Sequence, residues 1–242
     1  MRSLRTDHAL RSATDMYRLY MFWALIVVGI SVLIRTVLWI FVEEMQTLEA
    51  TPLTLFRGPG QIFMLVVGIV TGVYAITYFI RQGVTRRSFL AGGALAGIGI
   101  AVSLQIVGFV LYGLTALLEP LLPIELHMSG MPYGGGASGL AIGVSVDILL
   151  ISAFFFMGWI IGFAFSRFRF PGGMLAIFVA IFTLGALTSL WGEDVEINVT
   201  GIRIPPIDGL PVSLSFIITL ILIALQLWTL YVMLRNAPLK VQ

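Results

Sequence analysis

The chain contains no cysteine. Disulfides, thiolate metal sites, cysteine-ligated iron–sulfur clusters and cysteine nucleophiles are thereby excluded, and nothing about redox compartment follows. Lysine is almost as scarce. Lys240, third from the C-terminal end, stands alone, so there is no GxxxxGK[ST] phosphate loop to hold ATP. The two histidines, His8 and His127, lie far apart in sequence and, in the topology derived below, on opposite sides of a membrane, which excludes bis-histidine haem ligation and an HExxH zinc motif. Charge is short as well: 11% of residues are charged and 59% hydrophobic, where a soluble domain is about one-quarter charged. With a mean hydropathy of +1.02, the chain has too few polar side chains to coat a water-facing surface. It reads as an integral membrane protein.

Apolar runs of about 20 residues, enough to cross ~30 Å of hydrocarbon, fall at roughly 20–42, 61–80, 89–114, 139–164, 171–190 and 213–234. With the N-terminus inside, the inner segments hold Arg2, Arg5, Arg11, Arg18, Arg81, Arg86, Arg87, Arg167, Arg169, Arg235 and Lys240, eleven of the fourteen basic residues. Arg57 and Arg203 fall outside and Arg35 within the first span. This asymmetry predicts an all-α protein of six transmembrane helices, N-in and C-in. Acidic residues partition the other way: Glu43, Glu44, Glu49, Glu119, Glu125, Glu193, Asp194, Glu196 and Asp208 are outside, Asp7 and Asp15 inside, and Asp147 lies in the fourth span. Tyr17, Tyr20, Trp23, Tyr78, Trp159, Trp228 and Tyr231 fall near inner span ends, and Trp39, Tyr112, Tyr133 and Trp191 near outer ones, as interfacial aromatics do.

The first twenty residues are amphipathic. On a helical wheel Ala9, Leu10, Ala13, Met16, Tyr17 and Tyr20 gather opposite Asp7, Arg11, Asp15 and Arg18, the pattern of a helix lying along the inner leaflet. Residues 1–19 are therefore read as an interfacial segment and 20–242 as one six-span domain. No cleavable leader is expected, because the first apolar run is long enough to span and follows a charged lead.

The stretch TRRSFLAGGALAGIGIAV, starting at Thr85, has the look of a twin-arginine export signal. Two apolar runs precede it, so it cannot serve as an N-terminal address. Arg81, Arg86 and Arg87 either hold the topology alone or do something more. YFIRQGVTRRSFLAGGALAG resembles the corresponding stretch of bacterial ABC-2-type transporter permeases, where the second span ends, a short G-[VS]-[ST]-R-[RK] cytoplasmic loop follows and the third span begins. That resemblance implies that Gln82, Gly83, Val84, Thr85, Arg86 and Arg87 form a coupling loop gripped by a separate ATPase subunit. It also implies that the amphipathic lead is a connecting helix between ATPase and bilayer, and that a second permease chain, identical or different, completes the path.

Two charges fall inside the apolar runs. Arg35 lies eight residues before Glu43 and Asp147 eight residues after Gly139, which puts both roughly 12 Å below the outer boundary at 1.5 Å per residue. Equal depth and opposite sign make them a candidate pair, and intramembrane charges are functional candidates by default. The other reading has Arg35 snorkelling outward and Asp147 facing a wet cavity or protonated. GIVTG (68–72), GALAG (93–97), GLAIG (139–143) and GWIIG (158–162) are GxxxG elements that let helix backbones approach closely. Outside, 119–139 mixes prolines with three consecutive glycines, and Val195, Ile197 and Val199 followed by Ile202 and Ile204 suggest a small hairpin. Asn198-Val199-Thr200 is a glycosylation sequon, expected to go unused in a bacterium.

The expectation is thus a multi-pass protein of a bacterial cell membrane: the permease subunit of an ATP-binding cassette exporter. It would have no catalytic residue, metal or cofactor of its own, since ATP and magnesium would be held by the partner ATPase, and would contact membrane lipid but not nucleic acid. A membrane enzyme would need clustered Glu/His or Ser/Lys groups at one depth, where the spans offer only Arg35 and Asp147. A scaffold or immunity-type protein that works by binding remains the other alternative.

Overall fold

The computed structural model describes residues 2–41, 57–75, 78, 84–118, 136–192, 195–197, 202–207 and 209–235. They are almost entirely helical: α1 (Arg2–Phe41), α2 (Arg57–Val70) widening into a π turn (Thr71–Ala75), α3 (Arg86–Leu118), α4 (Gly136–Ser189) and α5 (Val212–Arg235). Five helices are long and apolar enough to cross a membrane. The predicted hairpin is present, with β1 (Val195–Ile197) antiparallel to β2 (Ile202–Ile204) and Val195 opposite Ile204. The segment 119–135 and the sequon at 198–200 lie outside the described residues.

Helix α4 is two limbs. Arg169, at φ 59° and ψ −154°, is non-helical and stands two residues before Pro171, whose ring and missing N–H disfavour a continuous helix. Beyond the break the chain folds back. Met157 and Ile161 on the first limb share one apolar cluster with Ala180 and Leu184 on the second, and Gly173 leaves room for the Phe165 ring. As numbers rise on one limb they fall on the other, so the limbs run antiparallel, as the separate runs 139–164 and 171–190 anticipate. Gly192, at φ 81°, ends the second limb in a left-handed conformation that glycine adopts without strain.

This doubled helix is the spine. In its most apolar window 72% of residues are buried, against 12% for α1. The periphery is correspondingly apolar: Phe22, Leu33, Ile62, Val110, Leu175 and Ile221 are all exposed. A water-soluble protein does not present such a surface, whereas lipid accepts it.

Glycines set the central contact. Gly68 packs on the backbone of Gly158, and a Cβ added to Gly72 would lie 2.6 Å from the Trp159 carbonyl oxygen. GIVTG and GWIIG therefore meet backbone to backbone, as small-residue motifs permit in lipid. The glycines of GALAG do a different job. A Cβ at Gly93 would sit 2.6 Å from Trp159 Cη2, and Gly97 faces the Phe155 ring, so the two glycines make a slot for two aromatic side chains. Phe89 closes that slot edge-on to Trp159, with ring centroids 5.3 Å apart and planes at 87°.

Aromatics assigned to the membrane interface divide accordingly. Trp23 (53%) and Trp228 (63%) are exposed, but Trp159 is fully buried and Trp191 nearly so at 6%. Trp159 fills the glycine slot. Trp191 donates its indole N–H to Thr219 Oγ1 at 3.1 Å and packs edge-on to Phe216. Tyr20 is likewise turned inward, bonded to Thr71 at 2.7 Å.

Helix α1 runs without interruption through residue 19, where the sequence suggested that an interfacial segment gives way to a span. The predicted apolar stripe is real from Ala13 onward, since Ala13, Met16, Tyr20, Ala24 and Val28 are buried while Asp15 and Arg18 are exposed. Part of it faces protein: the Met16 side chain lies beside Gly93 of α3, and Tyr17 Oη is 2.7 Å from Ser103 Oγ.

Candidate functional site

The contacts give the bundle two distinct ends. α2 runs parallel to the first limb of α4, since Gly68 meets Gly158 and Gly72 meets Gly162. α5 runs antiparallel to the second limb, because Trp191 lies beside Phe216 and Thr219 while Arg167 reaches Met233. The start of α3, the α4 turn and the end of α5 therefore meet at one end. That end gathers Arg86, Arg87, Arg167, Arg169 and Arg235. The opposite end carries Trp191 and the β-hairpin, which is tied down by Ile207 N–H donating to the Ser189 carbonyl at 3.0 Å and by the Ser189 hydroxyl bonding the Pro205 carbonyl.

At the arginine end Thr85 caps α3. Its Oγ1 accepts from Ser88 N–H at 3.2 Å, meeting one of the orphan donors of a helix start, and its carbonyl accepts the first intrahelical bond from Phe89 N–H at 2.8 Å. Arg86 points across to α5, where Nη1 donates to the carbonyls of Leu234 at 3.1 Å and Arg235 at 2.8 Å. Arg167 Nη1 donates to Met233 O at 3.0 Å. Two guanidinium groups thus satisfy three last-turn carbonyls of α5 and sit at the negative end of its dipole. Arg87 Nη2 reaches the Tyr231 hydroxyl at 3.4 Å. Val84 packs against the core. Of the six expected coupling residues the structure brings Val84, Thr85, Arg86 and Arg87 together, while Gln82 and Gly83 lie outside the described residues.

The intramembrane charge Asp147 is paired, and with a residue read from the sequence as lying outside. Arg57 Nε is 3.0 Å from Asp147 Oδ1, with side chains only 15% and 7% exposed. Arg57 opens α2, where a cation opposes the helix dipole and a nearby carboxylate relieves it. The expected partner Arg35 lies on α1, and its side chain is outside the described residues. The sequence did contain a signal for Arg57. Gly68 with Gly158 and Gly72 with Gly162 define a parallel register offset by 90 residues, and Asp147 follows Arg57 by the same 90.

Buried amides were also missed, because a search for charges passes over glutamine. Gln61, Gln105 and Gln226 are buried, and each has a side-chain polar atom without a partner among the described residues. Gln61 and Thr188 are the polar members of a groove of about 610 Å³ between α2 and the limbs of α4, otherwise walled by side chains such as Leu65, Ile69, Phe154, Phe165 and Ile177. That volume falls within the ~300–1,000 Å³ of small-molecule sites, and the lining suits an apolar chain. Among the described residues no three His, Asp or Glu side chains gather as a metal ion would require.

No protein-family model, curated protein or solved structure matches this chain. The functional reading rests on the residues themselves.

Proposed function

We propose that the chain is the membrane-spanning permease subunit of an ATP-binding cassette exporter of the ABC-2 type in a bacterial cell membrane. In this reading it makes six crossings, the α4 turn separating the fourth from the fifth, with both termini and the arginine end in the cytosol. A separate ATPase subunit binds ATP and magnesium and grips the loop ending at Arg87. A second permease chain completes the path.

The observation that carries this reading is the anchoring of the described part of that segment, residues 84–87. Thr85 fastens it to α3, and Arg86 fastens it to the last turn of α5, so a force applied there is transmitted to two spans at once. Gathering of the arginines at one end agrees with a cytosolic location for it. The groove beside Gln61 supports an apolar or amphipathic cargo.

The test is affinity purification of the tagged chain in mild detergent. Arg86 caps α5, so Arg87→Glu, at an exposed position, is the informative variant. A P-loop protein should accompany the wild type and fall at least about tenfold in the variant, equivalent to ~1.4 kcal/mol of lost binding, while the variant still inserts and elutes as a single species. A P-loop partner retained equally by the variant, or absent from the wild type, would favour a non-transporting binding or immunity-type protein.

A further inference from the structure

The arginine end contains a pocket of about 270 Å³ lined by Arg86, Arg87, Leu90, Tyr231, Leu234 and Arg235. Three arginines line it, and they are not equivalent. Arg86 is committed to the α5 carbonyls. Arg87 makes a long contact with the Tyr231 hydroxyl, and among the described residues neither Arg87 nor Arg235 has a carboxylate within ion-pair distance. These two arginines line the space beside the positive end of α3, which favours an anion, while Arg86 and Arg167 cover the carbonyls at the negative end of α5.

We infer that this pocket binds a phosphate group. The planar, multi-donor guanidinium fork matches phosphate oxygens bidentately, and the Tyr231 hydroxyl adds a neutral donor. Leu90 and Leu234 give the pocket an apolar side, and Trp228, one turn before Tyr231 on α5, is exposed. An aromatic at that position marks headgroup depth, and basic pockets between transmembrane helices bind anionic headgroups. The headgroup phosphate of an anionic phospholipid fits this combination of walls; a free phosphate would use the guanidinium groups alone. The site shares Arg87 with the proposed ATPase contact but does not rest on it, and the purified chain without any partner is the material for its test.

The experiment measures the thermal midpoint of delipidated protein in detergent with added phosphatidylglycerol, phosphatidylcholine or inorganic phosphate. Phosphatidylglycerol should raise the midpoint by about 5 °C near saturation, and phosphatidylcholine should not. Arg87→Gln/Arg235→Gln should abolish the shift, and Arg87→Lys/Arg235→Lys should keep part of it. Arg235→Gln alone, at an exposed helix end, serves if the double variant does not fold, and should weaken apparent lipid affinity at least threefold. A shift with inorganic phosphate as large as that with phosphatidylglycerol, lost in the same variants, supports the phosphate site with a soluble source. Equal shifts with the two lipids, no shift with either anion, or an anion shift unchanged by removing the arginines overturns the inference.

Discussion

Gly158→Leu should leave no folded protein, and Gly158→Ala should already lower the thermal midpoint by about 6–12 °C. A Cβ on Gly158 would fall inside the Leu65 carbonyl, with the Leu65 carbonyl carbon at 2.9 Å. The obstacle is helix backbone, which cannot move aside as a flexible side chain would. α2 must then retreat along its whole contact with α4. Overpacking in a core costs about 1–3 kcal/mol, occasionally more, and a backbone obstacle sits at the top of that range; at roughly 2–4 °C per kcal/mol for a chain this long the shift follows. In lipid the loss is felt fully, because close van der Waals packing holds transmembrane helices together. Gly113 is the control. A Cβ there meets nothing within 4 Å, so Gly113→Ala should be neutral or stabilising by up to about 1 kcal/mol through helix propensity. Fluorescence-detected size exclusion after a heating series reads both, and equal behaviour of the two alanine variants would refute the glycine contact.

Asp147→Ala should destabilise by about 3 kcal/mol, the low end of the ~3–5 kcal/mol for breaking a buried ion pair. The cost comes from stranding the Arg57 guanidinium, only 15% exposed, with its carboxylate gone. The low end applies because Arg57 stands at a helix start, from which an arginine side chain can reach outward to water. Removing both charges should hurt less than removing one. Arg57→Met/Asp147→Leu should lie within about 1 kcal/mol of wild type, since apolar replacement of a buried pair is often neutral. The four-way comparison isolates the coupling. Strictly additive losses would mean that the two residues do not hold each other.

These two predictions mark where the sequence was readable and where it was not. Each of the five long apolar helices among the described residues contains at least one of the apolar runs, because about 20 residues of low polarity have no other stable home. The break between 139–164 and 171–190 was visible in Arg167 and Arg169, and the hairpin in the alternation of Val195 and Ile197 with Ile202 and Ile204. Partner choice was harder. Arg35 and Asp147 were matched by depth and opposite sign, and neither says which helix lies beside which. Arg57 was passed over because α2 begins there, four residues before its apolar run. The glycine register was the missing constraint, and it is written in the sequence once GIVTG is laid on GWIIG. Trp159 was assigned to an interface for the same reason: its slot is made by Gly93 and Gly97 on a different helix. Arg86 reaches carbonyls 148 and 149 residues away, and a main-chain acceptor leaves no mark in a sequence at all.

The proposed ATPase contact requires that the arginine end face the cytosol. The absence of cysteine makes single-cysteine labelling clean. Arg169→Cys reports the arginine end and Ser213→Cys, in the first turn of α5, the hairpin end; both positions are exposed. With a membrane-impermeant thiol reagent on intact cells, Ser213→Cys should label at once and Arg169→Cys only after the membrane is opened. Immediate labelling at Arg169→Cys with protection at Ser213→Cys would invert the protein and contradict the account.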